Sequence, residues 1–266
     1  MPRADEALVT AGLAGDLSLA RAIIMEGRVL CGTRKILKPS EKIEDAGQLR
    51  LKGDMDGFVS RGAHKLNRAF EVFSVSAADK VCMDVGASTG GFTDVMLRRG
   101  ARKVYSVDVG YNLLDWKIRS DPRVVCMEKT NARFLHPDMF PETIEFGATD
   151  VSFISLKAIL PAVFSVLAPD ADFIALIKPQ FEAPKEDVGP KGVVRDEGVH
   201  LRVVRDIVSF CRESGIGTVA LDYSPIRGPE GNIEFLLHTK NDPSCDHLDD
   251  DTIEQTVTRA HVNFSK

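Results

Sequence analysis

The sequence predicts an α/β fold, a mostly parallel sheet with helices on both faces, preceded by a small α+β module. Three observations lead there. From Val59 onward, short apolar runs alternate with helical patterns, the order that builds parallel sheets rather than sandwiches. One such run, 81–85, passes directly into a glycine-rich turn that opens a helix. A polar, glycine-rich stretch, 52–57, separates this alternation from a different pattern ahead of it. The expected domains are therefore 1–57 and 58–240, followed by an acidic tail, 241–266.

In the first domain, residues 4–12 suit a short helix. Asp16 has the character of an N-cap for a second helix over 17–26, where Leu17, Ala20, Ile23 and Ile24 share a face and Gly27 supplies the stop. Residues 28–36 read as a hairpin turning near Gly32, and 48–51 as a further short strand. In the second domain the strand candidates are 80–85, 103–108, 144–150, 173–178, 218–223 and 233–239. Helices fill 63–73, 91–99, 156–167 and 199–215. A turn at Gly231-Asn232 makes the last two strands an antiparallel pair. The tail is low in hydrophobic residues until Val262, which predicts partial disorder.

Composition narrows the function classes. Hydrophobic residues make up 44% and charged residues 27% of the 266, the balance of a globular chain with two cores to fill. The richest apolar stretch, 156–168, contains Lys157 and Pro161, short of the roughly 18 uninterrupted residues of a membrane span. The opening MPRADE carries acids and no apolar signal region, so the expected location is cytoplasmic. Five scattered cysteines without a C-x-x-C pair point to neither zinc nor disulfides, and no metal is expected. Of the net charge of −5, the segment from Lys240 contributes six acids against three bases. A near-neutral body can bind RNA where its bases cluster.

The residues with chemistry fall at strand ends. In Asp84-Val-Gly86-Ala-Ser88-Thr-Gly90-Gly91-Phe92 the glycines let the backbone approach a ligand, while Asp84 can handle its polar end. The spacing is not G-x-G-x-x-G, so an adenosyl ligand without phosphate fits better than a dinucleotide. Asp108 ends the next strand, where a carboxylate can accept from both ribose hydroxyls or stand as a solvated acid. Asn131 is placed after the third strand, near an adenine, or is a turn residue. A second set comprises Lys65, Asp150 and Lys178, with Glu234 near the start of the last strand. Lys178 closes an apolar strand before Pro179, so it either snorkels to solvent or sits in a partly dry site.

Together the motifs around Lys65 (SRGAHKL), Asp84 (DVGASTGGF), Asp108 (DVGYN), Asn131 (TNAR), Asp150 (DVSFIS), Lys178 (KPQFE) and Glu234 (GNIE) resemble the TlyA family. These are ribosomal RNA 2′-O-methyltransferases, also labelled haemolysin A, with an FtsJ-type catalytic domain. The likeness runs from about Arg3 to Lys240, and the first domain resembles the RNA-binding domain of a small-subunit ribosomal protein.

The resemblance implies a Rossmann-like class I methyltransferase sheet and S-adenosylmethionine as cofactor. It puts Lys65, Asp150, Lys178 and Glu234 on the family's catalytic tetrad, with Asp84, Gly86, Ser88, Gly90, Gly91, Phe92, Asp108 and Asn131 toward the donor. Lys178 is the expected base, influenced by burial and by Lys65, with Asp150 orienting the amine and Glu234 positioning Lys65 or the ribose. The RNA side would be Arg28, Arg34, Lys35 and Lys38 with Arg61, His64 and Arg68, whose charges suit phosphates. Bases and acids balance at nine each through Gly57. Donor binding is expected to survive loss of 1–57. The rival readings are a membrane-active haemolysin, a non-catalytic RNA-binding protein and an NAD-dependent dehydrogenase.

Overall fold

The structure is a computed structural model that describes residues 1–32, 34–51 and 57–265. The expected linker therefore lies, but for Gly57, outside the described residues. The N-terminal module contains α1 (Ala4–Thr10), α2 (Leu17–Met25), β1 (Val29–Cys31), β2 (Arg34–Ile36) and β3 (Leu49–Leu51). Asp16 caps α2 by accepting from Leu19 N at 2.8 Å. Ala20, Ile23 and Ile24 point inward, whereas Leu17, on the first turn, is exposed. The strands form an antiparallel sheet in the order β2-β1-β3, over a small core centred on Leu8, Ile24, Val29, Ile36 and Ile43.

The second domain runs α3 (Ala63–Val72), β4 (Val81–Val85), α4 (Gly91–Arg98), β5 (Lys103–Val107), α5 (Trp116–Arg119), β6 (Val124–Met127), β7 (Ile144–Thr149), α6 (Leu160–Phe164), β8 (Leu167–Ile177) and α7 (Pro179–Glu182). It continues through α8 (Glu197–Glu213), β9 (Gly217–Tyr223), β10 (Phe235–Lys240) and α9 (Asp250–Phe264). The sheet order is β6-β5-β4-β7-β8-β10-β9. Strands β4 to β8 are parallel, and β10 is antiparallel to both neighbours. One hydrophobic core packs on each face of the sheet. Strands buried on both sides read as near-continuous apolar runs, as Val81–Val85 does apart from Asp84, with every residue buried.

Several elements depart from the expectations, among them the one-turn helices α5 and α7, which no helix candidate covered. Strand β6 is absent from the six candidates; it has four half-buried residues at the sheet edge, too short to carry a clear alternation. The helix expected over 156–167 is a 3-10 turn, Leu156–Ala158, followed by the short α6, with Pro161 in its first turn. Leu167 already belongs to β8. The tail is ordered: Asp249 caps α9 by accepting from Thr252 N at 2.8 Å, and Ile253, Val257 and Ala260 bury one face. Their spacing of four and three residues places them on one stripe of a helix.

Candidate active site

All five parallel strands point their carboxyl ends to one edge of the sheet, and that edge gathers the candidate residues. Because β10 runs antiparallel, with Phe235 opposite Ile177, its first residue lies beside the last residue of β8. Glu234 and Lys178, 56 positions apart in the chain, thus arrive at the same edge, next to Asp150 after β7. Lys65 reaches them from the first turn of α3.

Asp150 bridges the two lysines. Its Oδ2 is 3.1 Å from Lys65 Nζ, and its Oδ1 pairs with Lys178 Nζ. Lys65 also pairs with Glu234 at 2.7 Å, and Lys178 donates to Ser152 Oγ at 2.9 Å. Both lysine side chains are 8% exposed and Glu234 is fully buried. Burial alone would raise the Asp150 carboxyl, but Lys178 and Lys65 outweigh it and hold the group at about 2. Burial likewise opposes the charge on Lys65, yet Asp150 and Glu234 raise its pKa. Gly228 makes room for this cluster, since a Cβ there would lie 2.2 Å from Glu234 Oε1.

Beside the tetrad lies a cavity of about 460 Å³. The turn after β4 forms part of its wall. Gly86 N and Ala87 N donate to Val107 O at 2.8 and 3.1 Å, which ties the turn to β5. Gly86 has φ +83, and a Cβ would come within 3.0 Å of Asp150 O, so the chain passes the tetrad at a distance only glycine allows. Asp108 Oδ2 accepts from Ser88 N at 2.8 Å and Oδ1 from Gly110 N at 2.7 Å. Asp84 Oδ2 accepts from Thr93 N and Oγ1 at 2.9 and 2.7 Å, while burial lifts the carboxyl to about 7. Gly91, Phe92 and Asn131 also line the cavity; Asn131 additionally accepts from Arg133 N at 3.0 Å. Gly90, at φ +96, does not line it: its missing side chain faces Leu114, just ahead of α5, and Ile118 within α5.

The basic candidates scatter. Arg61 lines the cavity. Arg34 and Lys35 are both exposed on β2, with Arg34 paired to Glu41. Arg68 bonds Asp222 at 2.9 Å, and Lys38 is 3.9 Å from Glu230. Arg28 is largely buried and donates to Val59 O at 2.6 Å, so it joins the two domains. His64 packs edge-on against Phe58.

Two residues at the cavity have no counterpart in the sequence reading. Phe153 is 75% exposed at φ +64, an outlying backbone for an aromatic residue. Glu26, from the end of α2, forms part of the wall. Phe153 lies within the Asp150 motif, but only its exposure singles it out.

A profile of the FtsJ-like methyltransferases matches residues 58–241. A Bacillus subtilis protein provisionally named the rRNA methyltransferase YqxC is 46% identical over 268 residues, 99% of this chain and 95% of that one. The 16S/23S rRNA (cytidine-2′-O)-methyltransferase TlyA of Mycobacterium tuberculosis is 43% identical over 236 residues, 88% of each chain. A solved structure from Streptococcus thermophilus, of a protein provisionally named a hemolysin, gives a TM-score of 0.80 at 43% identity, covering 99% of this chain and 97% of that one.

Proposed function

The chain belongs to the FtsJ-like methyltransferase family, and on that premise we propose that it transfers a methyl group from S-adenosylmethionine to the 2′-hydroxyl of a cytidine in ribosomal RNA. The observation that carries this reading is the bridging of Lys65 and Lys178 by Asp150, with Glu234 behind, at the edge of the cavity.

The residues present suit that donor. Each Asp108 oxygen accepts one backbone N–H and retains a second lone pair for a ribose hydroxyl. Asp84 Oδ1 is buried without a partner among the described residues. The Gly86 turn leaves bare backbone for an adenosyl group to lie against. When bound, S-adenosylmethionine supplies a methyl group already activated on a sulfonium.

The chain's own task is alignment and proton removal. Asp150 and Ser152 take up two of the three directions around Lys178 Nζ, which leaves the third for a ribose hydroxyl. Having first released its own third proton to the medium, Lys178 uses the freed lone pair to accept the 2′-hydroxyl proton as the C–O bond forms. Lys65, its charge fixed between Asp150 and Glu234, keeps Asp150 in register and adds positive potential where the oxygen gains negative charge. Phe153 presents an open ring on which the target base can stack, and Arg61 is within the cavity wall to meet a phosphate.

The haemolysin name offers a different reading. Among the described residues no helix is long and apolar enough to cross a membrane, and the tetrad gives no role in lysis. Incubation with methyl-labelled donor and separated ribosomal subunits, followed by mapping of 2′-O-methylated positions, tests the proposal. Label should enter one or a few cytidines, and Lys178→Met should lower turnover by ~10²–10⁴-fold while donor affinity is kept. Equal labelling by a folded Lys178→Met protein would remove Lys178 from the chemistry.

A further inference from the structure

Glu26 is the C-cap residue of α2, with φ −69 and ψ −8. A carboxylate there meets the negative end of the helix dipole, the end that disfavours it. The side chain does not turn to solvent. It crosses from the N-terminal module to the turn after β4, where Oε1 accepts from Thr89 Oγ1 and, at 3.3 Å, from Ser88 Oγ. Oε2 is shut off from solvent with no hydrogen-bond partner among the described residues. The guanidinium of Arg28 stays 3.9 Å away and donates instead to Val59 O. Burial raises the Glu26 carboxyl to about 7, against the hydrogen bond from Thr89 and the charge of Arg28. Between them Gly27, at φ +69, lies so close to Arg61 that a Cβ would be 2.8 Å from its Nη1. Three successive residues thus fasten the module to the catalytic domain.

A buried carboxylate with an unused acceptor oxygen is costly unless a cation meets it. The donor assigned above carries two positive centres. Its sulfonium has no hydrogen to donate and must face the tetrad. Its α-ammonium has three. Ser88 connects the relevant places, because its N is bonded to Asp108, the ribose holder, and its Oγ to Glu26. The turn leads from the ribose toward the Glu26 carboxylate.

We propose that Glu26 completes the methyl-donor site from the N-terminal module, its carboxylate receiving the α-ammonium group of the bound donor. This rests on the donor assigned under the proposed function. It makes the N-terminal module one wall of the donor site, with Ser18, Arg21, Ala22 and Met25 of α2 beside Glu26.

The test titrates the full chain with S-adenosylhomocysteine and with its analogue lacking the α-amino group. Wild type should prefer the amine-bearing ligand by about tenfold or more, the worth of a buried charge-assisted hydrogen bond. Glu26→Gln keeps the acceptor for Thr89; it should lose that preference, binding S-adenosylhomocysteine about tenfold more weakly and the analogue unchanged. A preference intact in Glu26→Gln overturns the proposal. So does equal weakening of both ligands, which would make Glu26 a support for the turn. A crystal structure of wild type with S-adenosylhomocysteine requires no variant: the amine nitrogen should lie within about 3.2 Å of the Glu26 carboxylate, and an amine held elsewhere overturns the assignment. If wild type bound neither S-adenosylmethionine nor S-adenosylhomocysteine, the donor assignment itself would fall with it.

Discussion

Glu26 and Asp150 are both buried carboxyl groups, yet their surroundings move them in opposite directions, to about 7 and to about 2. The consequences for stability have opposite signs. A raised carboxyl binds its proton more tightly in the folded chain, so its contribution is fully present below about 4.5 and is lost as pH rises toward 7. Asp150, depressed, contributes above its ordinary value of 3.8, and that contribution disappears as pH falls toward 2. Melting donor-free wild type and Glu26→Gln side by side checks the first: the variant's melting temperature should gain on wild type steadily between pH 4.5 and 7. A constant difference would mean that Glu26 is well solvated. The sequence made Lys178 and Asp150 legible because polar residues closing apolar strands fall at a ligand-binding edge. It could not show Glu26, whose partners Ser88 and Thr89 lie 62 and 63 residues away, nor that Gly90 turns from the cavity toward Ile118.

At the level of elements, α9 shows how charge can mask a helix. The acids that made the tail look disordered lie on its outer face, where Asp250 and Glu254 pair with Arg205 of α8. The inner face carries Ile253, Val257 and Ala260. Its last turn supports the loop before β10: the Phe264 carbonyl accepts from Arg227, whose guanidinium also lies 5.1 Å over the Phe264 ring. Val257→Asp removes burial worth about 1.5–3 kcal/mol and adds a buried charge. The melting temperature should fall by about 2–4 °C per kcal/mol lost, and activity should fall with it through the Arg227–Glu234 loop. An unchanged thermal transition would show that α9 is dispensable to the fold. The long amphipathic α8 and the central strands were legible because their periodicity extends over many residues. The edge strand β6, with four half-buried residues, gave too short a pattern.

For the whole molecule, the N-terminal module and catalytic domain have separate cores but share one cavity wall. Composition suggests a boundary near residue 57 but carries no information on docking, so the shared wall was not legible. With Glu26 proposed to receive the donor's ammonium group, donor binding is expected to depend on the module. A chain lacking residues 1–57 should still fold, yet bind S-adenosylhomocysteine about tenfold or more weakly; calorimetry showing wild-type affinity would mean that the wall contributes nothing. The tetrad has its own consequence at this scale. In the resting, ion-paired state Lys65 and Lys178 balance Asp150 and Glu234, with both lysine side chains 8% exposed, so mobile ions have little to screen there. RNA contacts on the outer surface are open to counterions. Kinetics from about 50 to about 200 mM salt should therefore separate the two, with KM for RNA climbing steeply and kcat staying level. A kcat that fell in step would mean that ions reach the tetrad, and that the cavity admits the medium during turnover.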